Sequence, residues 1–105
     1  MTDKIVVLCS CGGEEEASRI AQSLIEIRLA ACVTILPRVH SIYRWQGAVE
    51  RSEEFLLIIK SSRALFEKLR AEVARLHSYE VPEVLAMPVV DGASAYLQWM
   101  DQELG

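Results

Sequence analysis

The chain has 105 residues, 51% of them hydrophobic and 25% charged, with a formal net charge of −4 and three cysteines; this suits one domain, residues 1–105, with a single core that oligomerisation would help to stabilise. The acidic balance and the scattering of Lys and Arg exclude a general affinity for nucleic acid, and no stretch approaches the ~20 apolar residues of a membrane span. MTDKIVVLCS lacks the charged leader and cleavage site of a signal peptide, and Cys9, Cys11 and Cys32 are too few and too odd in number for a disulfide framework, so free thiols in a cytoplasm are expected.

Lys4 to Ser10 is nearly continuous in apolarity and rich in β-formers, which predicts a central strand ended by Gly12-Gly13. Glu14, Glu15 and Glu16 then occupy the first turn of a helix, where acidic groups are favourable, and Ala17, Ile20, Ala21, Leu24 and Ile27 repeat at helical spacing. Residues 31 to 60 read as one long β-hairpin turning at Gln46-Gly47. Val33, Ile35, Val39, Tyr43 and Trp45 share one parity, with Val49, Phe55, Leu57 and Ile59 on the returning flank. Pro37 inside the first flank predicts a bulge, an edge position or a break. Ser61 and Ser62 are candidate N-caps of a second helix with the stripe Leu65, Phe66, Leu69, Val73 and Leu76. Glu83 to Val90 reads as a fourth strand, interrupted by Pro88, which points to an edge or terminal position. A last helix from near Ser94 presents Tyr96, Leu97, Met100 and Leu104.

The order β-α-β-β-α-β plus a C-terminal helix predicts an α+β, ferredoxin-like sandwich with both main helices on one face of an antiparallel sheet. At ~3.3 Å per residue the first flank of the hairpin spans roughly 45–50 Å, longer than the ~35 Å diameter of a compact domain of this size. Part of the hairpin therefore overhangs, tipped by Tyr43 and Trp45, and pairing with other copies of the chain would bury it. The sheet face without helices needs cover for the same reason, which points to a symmetric homo-oligomer.

Cys9 and Cys11 lie two apart on one strand, so both sulfurs project from one face and suit a soft ion such as copper(I) if a third donor approaches. A thiol in an apolar strand also packs as a small hydrophobe, which is the reading for Cys32 as well; Cys11, beside the glycines, is expected to be the more exposed of the first two. His77 is either a metal ligand or a cation favoured by the end of the second helix, while His40 reads as a solvated strand position. Tyr43, Trp45, Tyr79, Tyr96 and Trp99 suit either the lining of a ligand pocket or the seams of a sheet-stacked oligomer; the seam is the simpler reading, with Tyr43, Trp45 and Trp99 assigned to it. Glu53, Glu54, Lys60, Tyr79 and Glu83 are candidates for a cleft assembled from two chains. No phosphate-binding glycine motif, nucleophile elbow or HExxH is present, so no catalytic residue is assigned and the chain is read as a non-enzyme.

Leu29-Ala30-Ala31-Cys32, Ser41-Ile42-Tyr43-x-Trp45-x-Gly47, Glu53/Glu54 before a run ending in Ile59-Lys60, His77-x-Tyr79, Val81-Pro82-Glu83 and Tyr96-Leu97-x-Trp99 resemble, in order, blocks of the CutA divalent-cation tolerance proteins. The resemblance runs from about Val6 to Trp99. It implies a ferredoxin-like subunit, a tight homotrimer with exchanged hairpins, and tolerance of copper and other divalent cations, with metal held by the cysteine after the first strand and by histidines near a His-Pro-Tyr turn. Here Cys9 and His77 match those positions, Cys11 is added beside Cys9, Leu76 stands where some members carry a second histidine, and Ser78 stands in place of the proline. The trimeric ferredoxin-like build also looks like that of PII-type signalling proteins, so the alternative function is a small-molecule sensor with ligand clefts between subunits.

Overall fold

A computed structural model describes residues 1–105. The elements follow the predicted order: β1 Lys4–Cys11, α1 Glu14–Glu26, β2 Cys32–Trp45, β3 Ala48–Ser62, α2 Phe66–Leu76, β4 Leu85–Pro88 and α3 Ser94–Glu103. The sheet runs β2-β3-β1-β4 and is antiparallel throughout, the ferredoxin-like arrangement that the sequence predicts. One sheet face carries the core. Ile5, Val7 and Cys9 of β1 and Leu57 and Ile59 of β3 lie opposite one another and are covered by Ala17, Ile20 and Leu24 of α1 and Leu69 and Val73 of α2. Full burial of each aliphatic side chain there contributes on the order of 1.5–3 kcal/mol.

The hairpin makes the molecule long, with principal extents of 44 × 25 × 23 Å. Gln46 and Gly47 both have positive φ, 50° and 84°, as the tight two-residue turn between right-twisting strands requires. The expectation of one uninterrupted parity along β2 is corrected. Leu36 pairs with Leu56 and Val39 with Glu54, so Pro37 and Arg38 together face only Phe55. That one-residue bulge, with Arg38 at a φ of 58°, turns every later side chain of β2 to the other face. Val33 and Ile35 face the helices, whereas Val39, Ser41, Tyr43 and Trp45 face the open side with Ser52 and Glu54. The missing N–H of Pro37 is tolerated because β2 is an edge strand.

On that open side Val6, Leu8, Leu56 and Ile58 are only half-buried, and Leu36, Leu85 and Met87 are exposed. The third helix covers one end of it, where Asp101 accepts from the Lys4 ammonium and Met100 is buried. Other boundaries differ from expectation for local reasons. Ser61 and Ser62 still belong to β3 and cap nothing with their side chains; Ser61 donates to the Leu29 carbonyl at 2.6 Å inside the core. A single 3-10 turn, Arg63–Leu65, leads into α2. Ile27 falls beyond α1 as its C-cap and is half-exposed, because Arg28 turns left-handed at φ 61°. The fourth strand keeps only four residues, paired with Ile5 to Leu8.

The two main helices are joined by Glu72, which accepts from the Ser23 hydroxyl at 2.5 Å and from Arg75. Arg75 first and Ser23 second hold the Glu72 carboxyl down, from the ordinary 4.5 to about 2. A depressed carboxyl contributes stability that is complete above its unfolded-state pKa and is lost as pH falls through the folded value. Replacing Glu72 by Gln is therefore expected to lower the melting temperature at pH 7 and to shrink the loss of stability between pH 4.5 and 2, as followed by circular dichroism melts across that range.

Candidate functional site

The C-terminal end of β1 and the chain leaving α2 meet around one imidazole. His77 caps α2 and is buried, with its ring between two backbone groups: Nδ1 accepts from the Tyr79 N–H at 3.0 Å, and Nε2 lies 2.8 Å from the Ser10 carbonyl. A ring whose Nδ1 accepts is neutral and donates from Nε2, so the helix-terminus cation foreseen as one role of His77 is replaced by a latch between β1 and the α2–β4 loop. The sulfurs of Cys9 and Cys11 and a nitrogen of His77 all lie within 4.8 Å of one another. Both cysteines are fully buried. For Cys11 this corrects the expectation of exposure: the strand runs through it, and its alternation sends the sulfur to the helix face with Cys9. Cys32 is free and partly exposed on β2.

The two thiols have opposite titration behaviour. The neighbouring sulfur raises Cys9, which keeps its proton and points it at the Ser10 carbonyl, and lowers Cys11; burial pushes both up, and nearby carboxylates, Glu83 and Glu16 at Cys9 and Glu16 and Glu54 at Cys11, add to that push. Glu16 is the member that its place in the sequence concealed, since three successive glutamates at a helix start are explained by the helix dipole alone. Its Oε2 accepts from the Ser78 N–H at 2.9 Å, while its Oε1 is buried without a hydrogen-bond partner and stands 3.7 Å from His77 Nδ1.

Back to back with this cluster, on the open sheet face, is a cleft of about 720 Å³ between the arm and the α2–β4 loop. Ser10 and Glu54 lie at its sheet side, Tyr43 and Trp45 come from the arm, and Tyr79 and Glu83 from the loop. Glu54 is only 4% exposed, and its Oε2 accepts from the Tyr79 hydroxyl at 2.7 Å. Burial, then that bond, raises the Tyr79 phenol, so it remains a donor. Gly12 permits the arrangement: a Cβ there would meet the Tyr79 hydroxyl at 3.1 Å. Of the expected cleft residues, Glu54, Tyr79 and Glu83 are thus brought together within one chain. Glu53 lies on the opposite face, exposed and 3.8 Å from an exposed His40, and Lys60 donates to Thr34 Oγ1 at 2.6 Å near the other end of the hairpin. Trp99 is half-exposed on α3, its ring 5.5 Å from that of Tyr96.

Residues 5–103 match the model of a family described as CutA1 divalent ion tolerance protein. The divalent-cation tolerance protein CutA of Thermus thermophilus is 47% identical over 100 residues, covering 95% of this chain and 97% of the relative. A solved structure of a divalent cation tolerance protein from that organism superposes with a TM-score of 0.95 at 46% identity, over 97% of this chain and 99% of that one. The crystal structure of CutA from Xylella fastidiosa gives a TM-score of 0.96 at 36% identity, over 99% of this chain and all of that one.

The Tyr79–Glu54 bond carries a direct consequence for stability. Tyr79→Phe leaves a buried carboxylate oxygen without its donor, and a destabilisation of ~1–3 kcal/mol is expected in urea unfolding; a change below a few tenths would show that water replaces the phenol freely.

Proposed function

Because this chain belongs to the CutA1 divalent ion tolerance protein family, we propose that it serves divalent-ion tolerance as a non-enzymatic, homotrimeric protein of the cytoplasm that holds copper at Cys9, Cys11 and His77. The observation that carries this reading is the gathering of two sulfurs and an imidazole within 4.8 Å. Donor atoms ~2.0–2.3 Å from a shared ion lie roughly 3.3–3.8 Å apart, so a small closure of the cluster suffices. Two soft thiolates favour copper(I), and the imidazole, which suits copper among other transition metals, completes a set that disfavours magnesium or calcium. For a ring nitrogen to take the ion, His77 gives up one of its two backbone partners, the Ser10 carbonyl or the Tyr79 N–H, and the buried, unpartnered Glu16 Oε1 stands 3.7 Å from Nδ1 beside it.

The trimer rests on the apolar open face and on the arm. Half-buried Val6, Leu8, Leu56 and Ile58, beside exposed Leu36, Leu85 and Met87, form a surface that another copy of the chain would cover. Tyr43 and Trp45 are about half-exposed on the same side after the bulge, and with Trp99 they are assigned to the seam. Trp45→Ala is expected to loosen the assembly, by analogy with the ~3–5 kcal/mol cost of truncating core aromatics, and the loss would appear as lower mass on dilution in light scattering.

Titration of copper(I) under reducing conditions tests the metal reading. One ion per chain is expected, with affinity falling at least tenfold in Cys9→Ser and in His77→Ala. Affinity is also expected to rise with pH, because the ion displaces thiol protons. Equal binding by the parent and both variants would refute the assignment of these donors.

A further inference from the structure

We propose that the cleft between the hairpin arm and the α2–β4 loop binds a small organic cation, a protonated amine carrying an apolar body, with Glu54 as its counter-charge. This goes beyond the copper reading, because the cleft lies on the opposite sheet face from the Cys9–Cys11–His77 cluster and uses none of those donors.

Three observations lead there. First, the cleft is lined by three carboxylates, Glu54, Glu80 and Glu83, and by no lysine, arginine or histidine. Second, Glu54 is a buried carboxylate without a cation in its own chain. Its one protein partner is the Tyr79 hydroxyl on Oε2, and none of the chain's salt bridges includes Glu54, Glu80 or Glu83. Buried charges are ordinarily paired, since an isolated one loses its hydration without compensation; the cleft therefore presents half of an ion pair, with the second oxygen of Glu54 free of any protein donor. Third, Tyr43, Trp45 and Tyr79 surround the same space; Tyr43 and Trp45 are also the residues assigned to the seam, so in the assembly the cleft lies at a boundary between subunits. Aromatic faces attract ammonium groups through the ring quadrupole, Trp most strongly, and give apolar carbon a surface to lie on. The serine oxygens of Ser10, Ser41 and Ser78 add acceptors for the remaining ammonium protons. A volume of about 720 Å³ falls in the range of sites for small organic molecules.

The combination discriminates among ligands. A hydrated divalent metal gains nothing from the aromatic rings, and a phosphate or carboxylate ligand would meet three like charges. Only a ligand with both an ammonium and an apolar body uses every part of the lining. Tyr79 links the two requirements, because its hydroxyl fixes the Glu54 carboxylate at 2.7 Å while its ring closes one side of the cleft.

The test compares benzylammonium with its uncharged counterpart benzyl alcohol and with benzoate, by titration into the ¹⁵N-labelled assembled protein under amide-resolved NMR. Benzylammonium is expected to bind saturably, shifting the amides of Tyr43, Trp45, Tyr79 and Glu83. Benzyl alcohol is expected to bind at least tenfold more weakly and benzoate not at all. Glu54→Gln keeps an acceptor for Tyr79 and removes the charge, so a tenfold or greater loss of benzylammonium affinity is expected with the spectrum otherwise intact; Glu83→Gln serves as the second variant if the first fails to fold. Equal affinity for benzylammonium and benzyl alcohol, no saturable shift at these amides, or a lysine or arginine of a partner subunit seated on Glu54 in a crystal structure of the assembly would each overturn the proposal. Copper(I) binding is untouched by any of these outcomes, so the two readings fail separately.

Discussion

The rest of the structure depends on the extra residue at Pro37-Arg38. A sheet has two faces and a side-chain period of two, so one inserted residue exchanges the destinations of everything beyond it. Before the bulge β2 contributes Val33 and Ile35 to the helix-covered core; after it, Tyr43 and Trp45 stand on the open face with Ser52 and Glu54. Without that reversal the aromatic tip would sit on the helix side of the sheet, beyond the reach of α1 and α2, and the cleft would lose one wall. The cost is a non-glycine residue at φ 58°, a left-handed conformation worth roughly 1–2 kcal/mol. The long edge strand tolerates it because Pro37 has no N–H to leave unpaired.

A second constraint acts at the other end of the sheet. The α2–β4 loop is irregular, yet His77 ties it to the Ser10 carbonyl, Glu16 holds the Ser78 N–H, and Tyr79 reaches across to Glu54. These bonds anchor a loop to rigid elements, which is how a binding residue on irregular chain acquires a defined position. They also place two chemically different sites on the two sides of β1. Alternation along Cys9, Ser10 and Cys11 sends both sulfurs to the helix side and leaves Ser10 on the cleft side. The two sulfurs and the Glu54 carboxylate thereby lie on opposite sides of one sheet.

Much of this was legible in the sequence. The order of elements, the turn at Gln46-Gly47, the edge position of β4 and the shared face of Cys9 and Cys11 all follow from spacing and turn chemistry. Pro37 announced an irregularity, but proline marks a bulge, an edge or a break alike, and only the observed pairing of Val39 with Glu54 decides among them. The burial of Glu54 was not legible, because ERSEEF reads as a solvated strand face until the distant Tyr79 loop is known to fold over it. Glu16 was hidden by a sufficient local explanation, and its orphaned oxygen is a property of tertiary contacts alone. Cys11 was misplaced because glycines after a strand suggest an opening, whereas here Gly12 lets Tyr79 close over the strand end. Residues whose environment comes from their own element are readable from periodicity; those whose environment comes from a distant loop are not.

Inserting one alanine between Glu54 and Phe55 addresses the central claim most directly, since it gives Arg38 a partner, restores one-to-one pairing between β2 and β3 and turns every residue between Val39 and Glu54 to the other face. The measurement is the light-scattering mass of the insertion protein beside the parent, with far-UV circular dichroism to establish that both are folded. The account predicts a folded insertion protein that no longer assembles, because Tyr43 and Trp45 have turned away from the open face, while the parent has the mass of three chains. A folded insertion protein with the parent's mass would contradict it.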